Sequence, residues 1–387
     1  MRHFPHLRDA ELARLFHCCP EPFTLHDDAE LLAIALGATL YSPATRSTLA
    51  ADIAKRVGQG VISTVVCLED AVADPDLAAA ELNAVAQLRA LAEVRTASSM
   101  VFVRVRNVEQ VLTVVNSLGP HLGVLTGFVI PKFTEATGVA FLDAIAEVSS
   151  AYGQLLLAMP VVESPEVMHR ETRMDALLGI QRVLDKYREH VLAVRIGATD
   201  FSSVYGLRRP HDITIYDVRV VADAIADTVN ILGRADGTGF VVTGPVWEHL
   251  SASERIFKSQ LRESPFVAHE VRPLRARLVA ANLDGLIREV LLDRANGLTG
   301  KSVIHPIHVA AVHALSVVTH EEYTDARAIV GAAIAGGGVA ASAYGNKMNE
   351  AKPHRAWAQR TLQRAHVFGV ARADVSFVDL LDASLSP

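Results

Sequence analysis

Charged residues recur in this sequence directly after short apolar runs. Val65-Val66-Cys67-Leu68 delivers Glu69 and Asp70, VFVRVR carries Arg104 and Arg106, GFVIPK ends in Lys132, LLLAMPVVE ends in Glu163, AVRIGATD ends in Asp200, and GKSVIHPIH holds Lys301, His305 and His308. Desolvating a charge is costly unless it is paired or bound to a metal, so one such terminus is uninformative but five or six indicate a site. The residue types narrow the chemistry. Carboxylates with Arg and Lys, and no Cys/His ligand set, suit a hard divalent cation rather than zinc. Magnesium is usually held by one or two carboxylates with waters and substrate oxygens, which Glu163 and Asp200 could provide, while Glu69 and Asp70 orient waters around it. Arg104 offers a planar fork for a substrate carboxylate or a developing enolate oxygen. A metal plus an arginine at a keto-acid or acyl oxygen is the equipment for stabilising an enolate. Plainer roles compete. Glu163 before Ser164-Pro165 and Asp200 before FSSVYGL could cap helices. Glu69-Asp70 could neutralise Arg104 and Arg106 in a structural network, Lys132 could be a solvated loop charge, and His305 could be a hydrogen-bonded structural histidine.

Such residues need elements that bring them to one place. Short β-branched runs at about 38–42, 62–68, 100–104, 127–130, 155–161, 192–196, 239–243 and 301–304 read as strands, with Ala-, Leu- and Val-rich helical segments between them, such as 76–91, 139–151 and 216–231. Strands alternating with helices imply parallel βαβ units, and about eight of them close a (β/α)8 barrel whose strand ends share one face. The stretch from Trp247 to Asn296 is longer than one crossover needs. The competing architecture, a doubly wound nucleotide-binding sheet, lacks its fingerprint. No GxGxxG follows any strand, and GLTGKS has Ala295 where a phosphate loop needs its first glycine.

The chain of 387 residues is 50% hydrophobic and 21% charged with a net charge of −6, a soluble globular composition without the basic runs of a nucleic-acid binder. Cys18, Cys19 and Cys67 form neither a disulfide framework nor a CxxC pair, and no apolar stretch suggests a leader or a membrane span, so cytoplasmic residence is expected. The organisation expected is a preamble over 1–35, a barrel over 36–310 and a C-terminal helical segment over 311–387. Helices are expected at 308–320, 323–335 and 353–368, with the polar loop SAYGNKMNEAKPH, a candidate lid or intersubunit arm, between the second and third.

The motifs LYSPATR (40–46), CLEDAV (67–72), VRVR (103–106), IPK (130–132), MPVVES (159–164), GATDFSSVYG (197–206) and GKSVIHP (300–306) together resemble the HpcH/HpaI aldolase and citrate lyase β-subunit family, in the family's order. TGPVWEH (243–249) and GNKMNEAKPHRAWA (345–358) are similar to a branch described as carbon–carbon bond lyases of the TIM-barrel fold, typically encoded in tellurite-resistance-type gene clusters. The resemblance implies a Mg²⁺-dependent lyase, with Mn²⁺ able to substitute, acting beside a carboxylate-bearing carbonyl or acyl-thioester carbon. It places Glu163 and Asp200 on the metal ligands, Arg104 on the enolate-stabilising arginine, and Glu69-Asp70 on the acidic pair near the metal waters. It further implies a homo-oligomer, trimer or hexamer, in which a C-terminal segment from a neighbour closes the site. Met348-Asn349-Glu350 stands where relatives carry Met-Ile-Asp, so Glu350 replaces the aspartate acid/base. Arg106 occupies a slot that is commonly asparagine; with Arg104 and Lys132 it makes a cationic mouth for an anionic small-molecule substrate, free or carried as an acyl-CoA or on a carrier protein. The rival activities are thioester hydrolysis on the same barrel and ligand binding without turnover.

Overall fold

The computed structural model of the chain describes residues 1–94, 99–250, 261, 266–267, 272–280 and 283–385. Eight parallel strands close into a barrel in chain order: β1 (Ala38–Pro43), β2 (Ser63–Cys67), β3 (Met100–Arg104), β4 (Gly127–Ile130), β5 (Leu157–Val162), β6 (Val194–Ile196), β7 (Val242–Trp247) and β8 (Lys301–Val303), which pairs back onto β1. This is the (β/α)8 barrel the alternation of strands and helices implies. Each strand is apolar almost throughout because both its faces are buried. Val66, Val103, Ile130, Val162 and Ile196 face the helices, and Val65, Phe102, Val129, Met159 and Val161 belong to the inner layer. That alternation is the two-residue period of a strand. Between strands, local signals set the helices: Asn107 caps 108–118, accepting from the Gln110 N–H, and Thr134 caps 135–152, which ends at Gly153 in the left-handed conformation (φ 64°).

The seventh strand lies further along the chain than the sequence suggests, because Gly244-Pro245 reads as a stop. Pro245 is tolerated at an irregularity, where the register of β7 against β8 shifts between Gly244 and Trp247. Gly244 is needed there for another reason: a Cβ would lie 2.6 Å from the Asp293 carboxylate.

Helix 306–316 follows β8, and helices 320–334 and 355–368 pack against each other beyond it. The last of these lines crevices with Val191, Leu192, Val241 and Val242, residues that lead into β6 and β7. The C-terminal helices therefore sit under the amino ends of the strands. The polar segment between them, expected as a loop, contains a small hairpin pairing Val339–Ala341 with Met348–Glu350. Phe16–Cys18 pairs with Val370–Ala371 and ties the N-terminal segment to the same end. Among the described residues, a cavity opens at the opposite end, where the strands terminate. Among the described residues no helix is long and apolar enough to cross a membrane.

Candidate active site

A cavity of about 590 Å³ opens at the carboxyl ends of the strands, and Asp70, Arg104, Glu163 and Asp200 line it. Arg104, the last residue of β3, is its hub. One guanidinium nitrogen, Nη2, lies 2.8 Å from Glu69 Oε2, 3.2 Å from Asp70 Oδ2 and 2.9 Å from Glu163 Oε1, while the buried Nε has no partner among the described residues. The arginine is thus anchored at one corner of its fork with donor capacity left over. Glu163 follows β5 and is only 3% exposed. It accepts a second bond, 2.9 Å, from the backbone N–H of Lys132. Lys132 is one of two non-glycine residues with positive φ (46°) among the described residues, a conformation uncommon for a side chain of that size. From it the backbone N–H reaches Glu163 and Nζ reaches Glu69 Oε1 at 2.7 Å. Gly197, at the end of β6, leaves room for the Glu163 side chain; any Cβ there would overlap it.

The electrostatics follow from this crowding. Burial pushes the Glu163 carboxyl up to about 7, with Asp200 and Glu69 adding repulsion that Arg104 and the Lys132 N–H only partly offset. Burial likewise raises Asp70, helped by its neighbour Glu69, to about 6. Glu69 goes the other way, to about 2, because bonds with Asp70, Arg104 and Lys132 outweigh its desolvation. Burial opposes the charge on Arg104, but Glu163, Tyr41 and Glu69 hold its pKa above the ordinary arginine value. Lys132 is raised mainly by its bond to Glu69.

Two of the plainer roles are seen, the pairing of Glu69 and Asp70 with Arg104 and the hydrogen-bonded structural histidine at His305, and the others are not. Ser164, not Glu163, stands at the N-cap of helix 165–168, and Glu163 is turned to Arg104 and Lys132. Asp200 lies inside helix 198–203 rather than capping it. Lys132 is an ion-pair partner rather than a free loop charge. Arg106, in contrast, does not line the cavity. Its guanidinium bonds the carbonyls of Leu68, Glu69 and Val72 and the Asp74 carboxylate, so it braces the loop that carries Glu69 and Asp70. Glu350 is exposed on the hairpin near the amino ends of the strands, away from the other candidates of its own chain. Lys301 is not at the mouth either. It opens β8 and is fully buried between Glu289 (2.8 Å) and Asp293 (2.7 Å). His305 caps helix 306–316, accepting from the Ile307 N–H. His308 is fully buried, and desolvation lowers it to about 4.

The donor set fits a hard divalent cation. Among the described residues no three His, Cys, Asp or Glu side chains converge as a complete protein cage, which excludes a closed structural zinc site there. Two neighbouring carboxylates, Glu163 and Asp200, repel each other across a cavity that can admit water and ligand. That is the partial ligand set magnesium uses.

Sequence reasoning overlooked Arg195, in the middle of β6. It lines the same cavity and is 1% exposed. Tyr41 and Ser302 join it on the wall. The available signal was a single cation inside the apolar run LAVRI, at an inward-facing position.

A family model described as C–C bond lyase of the TIM-barrel fold matches residues 30–370. Among solved structures, a citrate lyase from Burkholderia xenovorans LB400 is 14% identical, covering 91% of this chain and 96% of its own, with a TM-score of 0.60. The CitE protein of Mycobacterium tuberculosis, in complex with magnesium, acetoacetate and coenzyme A, is 18% identical over 85% of this chain and 97% of that one, with a TM-score of 0.52. A malate synthase of Haloferax volcanii with magnesium and glyoxylate is 14% identical, covering 71% and 73%, at a TM-score of 0.50. At such identities these likenesses speak for the fold alone. No curated protein matches the sequence.

Proposed function

The chain belongs to the C–C bond lyases of the TIM-barrel fold, and from that premise we propose that it cleaves or forms a carbon–carbon bond beside a carboxylate-bearing carbonyl or acyl-thioester carbon, through an enolate. The observation that carries the reading is the junction of Arg104 with Glu163 beside Asp200 on one cavity wall. Mg²⁺ held by Glu163 and Asp200 would supply Lewis-acid charge for the substrate's carboxylate and carbonyl oxygens, as magnesium does in sites of this composition, and Mn²⁺ would replace it. The magnesium in the M. tuberculosis and H. volcanii complexes supports that choice.

The remaining work falls to the chain's own groups. Arg104, which lines the cavity, offers its guanidinium to the enolate oxygen as charge develops there. Its Nη2 stays anchored on three carboxylates, so the fork is held in place before substrate arrives. Lys132 fixes Glu69 and Glu163 from outside and leaves its charge at the rim for an anionic substrate. Asp70 is half-exposed on the cavity, and its pKa of about 6 suits a group that takes up and releases a proton near neutral pH. Glu69, held ionised, orients Asp70's backbone N–H and Arg104. Glu350 sits at the strands' amino ends, so it would reach a mouth only in a neighbouring copy. The proposed assembly is therefore a homo-oligomer in which segment 311–387 closes the adjacent barrel (36–310) and Glu350 serves as a second acid/base.

The test is Asp200→Asn and Arg104→Lys with product analysis over keto acids and acyl thioesters. Two carbon fragments from the wild type, lost in both variants with the fold intact, support the lyase. An intact acid plus free thiol would instead establish thioester hydrolysis. Ligand binding without proton exchange at the carbon acid would mean a binding protein.

A further inference from the structure

The inner layer of a (β/α)8 barrel is ordinarily filled by branched apolar side chains, a packed core rather than a pore. Here a guanidinium stands in it. Arg195 projects from β6 into the lumen, 1% exposed, among Met159 and the hydroxyl-bearing residues Thr39 and Ser302. Nη2 donates to Ser302 Oγ at 2.5 Å, and Nη1 makes only long contacts, 3.4 Å to Thr39 Oγ1 and 3.6 Å to Met159 Sδ. Nε has no partner. Tyr41's ring lies 5.5 Å from the guanidinium carbon. Among the described residues no carboxylate stands within ion-pair distance of Arg195, whereas the buried Arg209 pairs with Glu289 and the buried Lys301 with Glu289 and Asp293. Burial, opposed by Tyr41 and reinforced by the like charge of Arg104, keeps its pKa below the ordinary arginine value.

A buried cation without a counter-charge is strongly unfavourable, and the other buried lysine and arginines among the described residues have one. Arg195 opens onto the cavity it shares with Arg104, Glu163 and Asp200. We propose that Arg195 and Ser302 form a second anion subsite, deep in the barrel, that receives a carboxylate at the end of the substrate remote from the reacting carbonyl. The substrate is then a dicarboxylate-type keto or hydroxy acid, or an acyl group ending in a carboxylate, rather than a simple alkyl chain. Arg104 serves the reacting end and Arg195 the distal one. Ser302 accepts from Arg195, so its own hydroxyl hydrogen is free to donate to the incoming anion. This rests on the reading of the cavity as the lyase's substrate site, and it adds the selectivity which that reading leaves open.

The test compares dicarboxylates with counterparts in which the distal carboxylate is a methyl group: 2-oxoglutarate against 2-oxovalerate, and oxaloacetate against 2-oxobutyrate. Calorimetric titrations use the full chain with and without Mg²⁺, in the wild type, Arg195→Met, Arg195→Lys and Glu163→Gln. The wild type should bind at least one dicarboxylate about 10- to 100-fold tighter than its methyl-ended partner, the range of one charged hydrogen-bonded contact. Arg195→Met should lose that preference while binding the methyl-ended acid as before, and Arg195→Lys should retain part of it. Arg195→Met should also unfold at the same or a higher temperature than wild type in the absence of ligand, because it removes an uncompensated buried charge. An equal affinity for both members of each pair in the wild type, or an Arg195→Met variant that keeps the preference, overturns the proposal, as does a marked loss of thermal stability with unchanged selectivity. The metal reading is judged separately. If the preference is present but indifferent to Mg²⁺ and to Glu163→Gln, the metal assignment fails and the Arg195 subsite stands. If Mg²⁺ and Glu163 matter but the preference is absent, the reverse holds.

Discussion

Lys301→Met converts a charge that sequence position places near the active site into a test of where it really acts. Lys301 Nζ lies 2.8 Å from Glu289 Oε1 and 2.7 Å from Asp293 Oδ2, and all three side chains are essentially inaccessible. Glu289 keeps a second cation, Arg209, and the backbone N–H of Ile215; among the described residues Asp293 keeps only the hydroxyl of Tyr216. Removing Lys301 therefore strands Asp293 more than Glu289. Breaking a buried ion pair from one side costs about 3–5 kcal/mol, and that is the loss of stability expected at pH 8. The pH dependence gives the mechanism. Burial raises the Asp293 carboxyl to about 6 in the wild type, against the pull of Lys301. The folded state thus holds its proton more tightly than the unfolded one. Its contribution to stability is fully present below the unfolded value of about 4 and declines as pH rises to about 6. Without Lys301 the folded pKa climbs further, and the decline continues upward by about 1.4 kcal/mol for each unit of that climb. The gap between variant and wild type is therefore small at pH 5 and widens toward pH 8. Urea unfolding at the two pH values measures it, followed by the fluorescence of Trp247, which is fully buried and has the Arg209 guanidinium 4.9 Å from its ring. Mn²⁺ affinity of the folded variant should equal the wild type's, since Lys301 touches none of the mouth carboxylates. A gap below about 1 kcal/mol at pH 8, or one that does not change with pH, refutes the assignment of Lys301 as the counter-charge of Asp293.

Glu163→Gln should weaken Mn²⁺ binding, followed by electron paramagnetic resonance, by about tenfold or more, as removal of one of two carboxylate ligands would; unchanged binding removes Glu163 from the metal's ligands. Gly197→Ala should reproduce much of that loss without touching a ligand, because its methyl would occupy the space of the Glu163 carboxylate, and circular dichroism should show the barrel intact. Arg104→Lys keeps the charge but not the fork and should lower kcat by about 10²–10³ with little change in Mn²⁺ affinity; equal activity would take Arg104 out of the reaction. Mixing Glu350→Gln chains with Arg104→Lys chains should restore activity in hetero-oligomers, measured against each variant alone, and absence of recovery argues against a shared site.

Much of the site was legible because charge at the end of a buried strand is conspicuous. Glu69, Asp70, Arg104, Lys132, Glu163 and Asp200 each follow an apolar run, and a parallel barrel brings such ends to one rim. What a linear sequence conceals is direction. Lys301 is adjacent to a strand, as Glu163 is, but it begins its strand and faces helix 283–295, whereas Glu163 follows the end of β5 and faces the mouth. Arg106 lies two residues past Arg104, yet its donors reach backbone carbonyls of the β2 loop, a partnership no spacing reveals. Gly244-Pro245 hid the second half of β7, because a proline in a strand signals an end unless the register breaks around it. Arg195 was concealed by its surroundings: an isolated cation in an apolar run reads as noise in the strand until the closed barrel shows that its position faces inward.

The charge balance of the mouth explains why these groups are placed together at all. Four carboxylates, Glu69, Asp70, Glu163 and Asp200, meet two cations, Arg104 and Lys132, leaving an excess of two negative charges by subtraction when all are ionised. A structural network would be expected to end near neutrality, because uncompensated charge in a partly buried site costs stability. This one instead stops two charges short at its rim, while one positive charge stands unpaired deeper in the same cavity at Arg195. A divalent cation at the rim and an anionic group in the depth answer these two imbalances separately. Neither alone does: the cation leaves Arg195 bare, and an anion bound without the cation would enter a mouth that repels it. The arrangement is thus one in which metal should bind first and anionic substrate second, so that the affinity of a dicarboxylate rises with Mg²⁺ while Mg²⁺ binding needs no dicarboxylate to be detected.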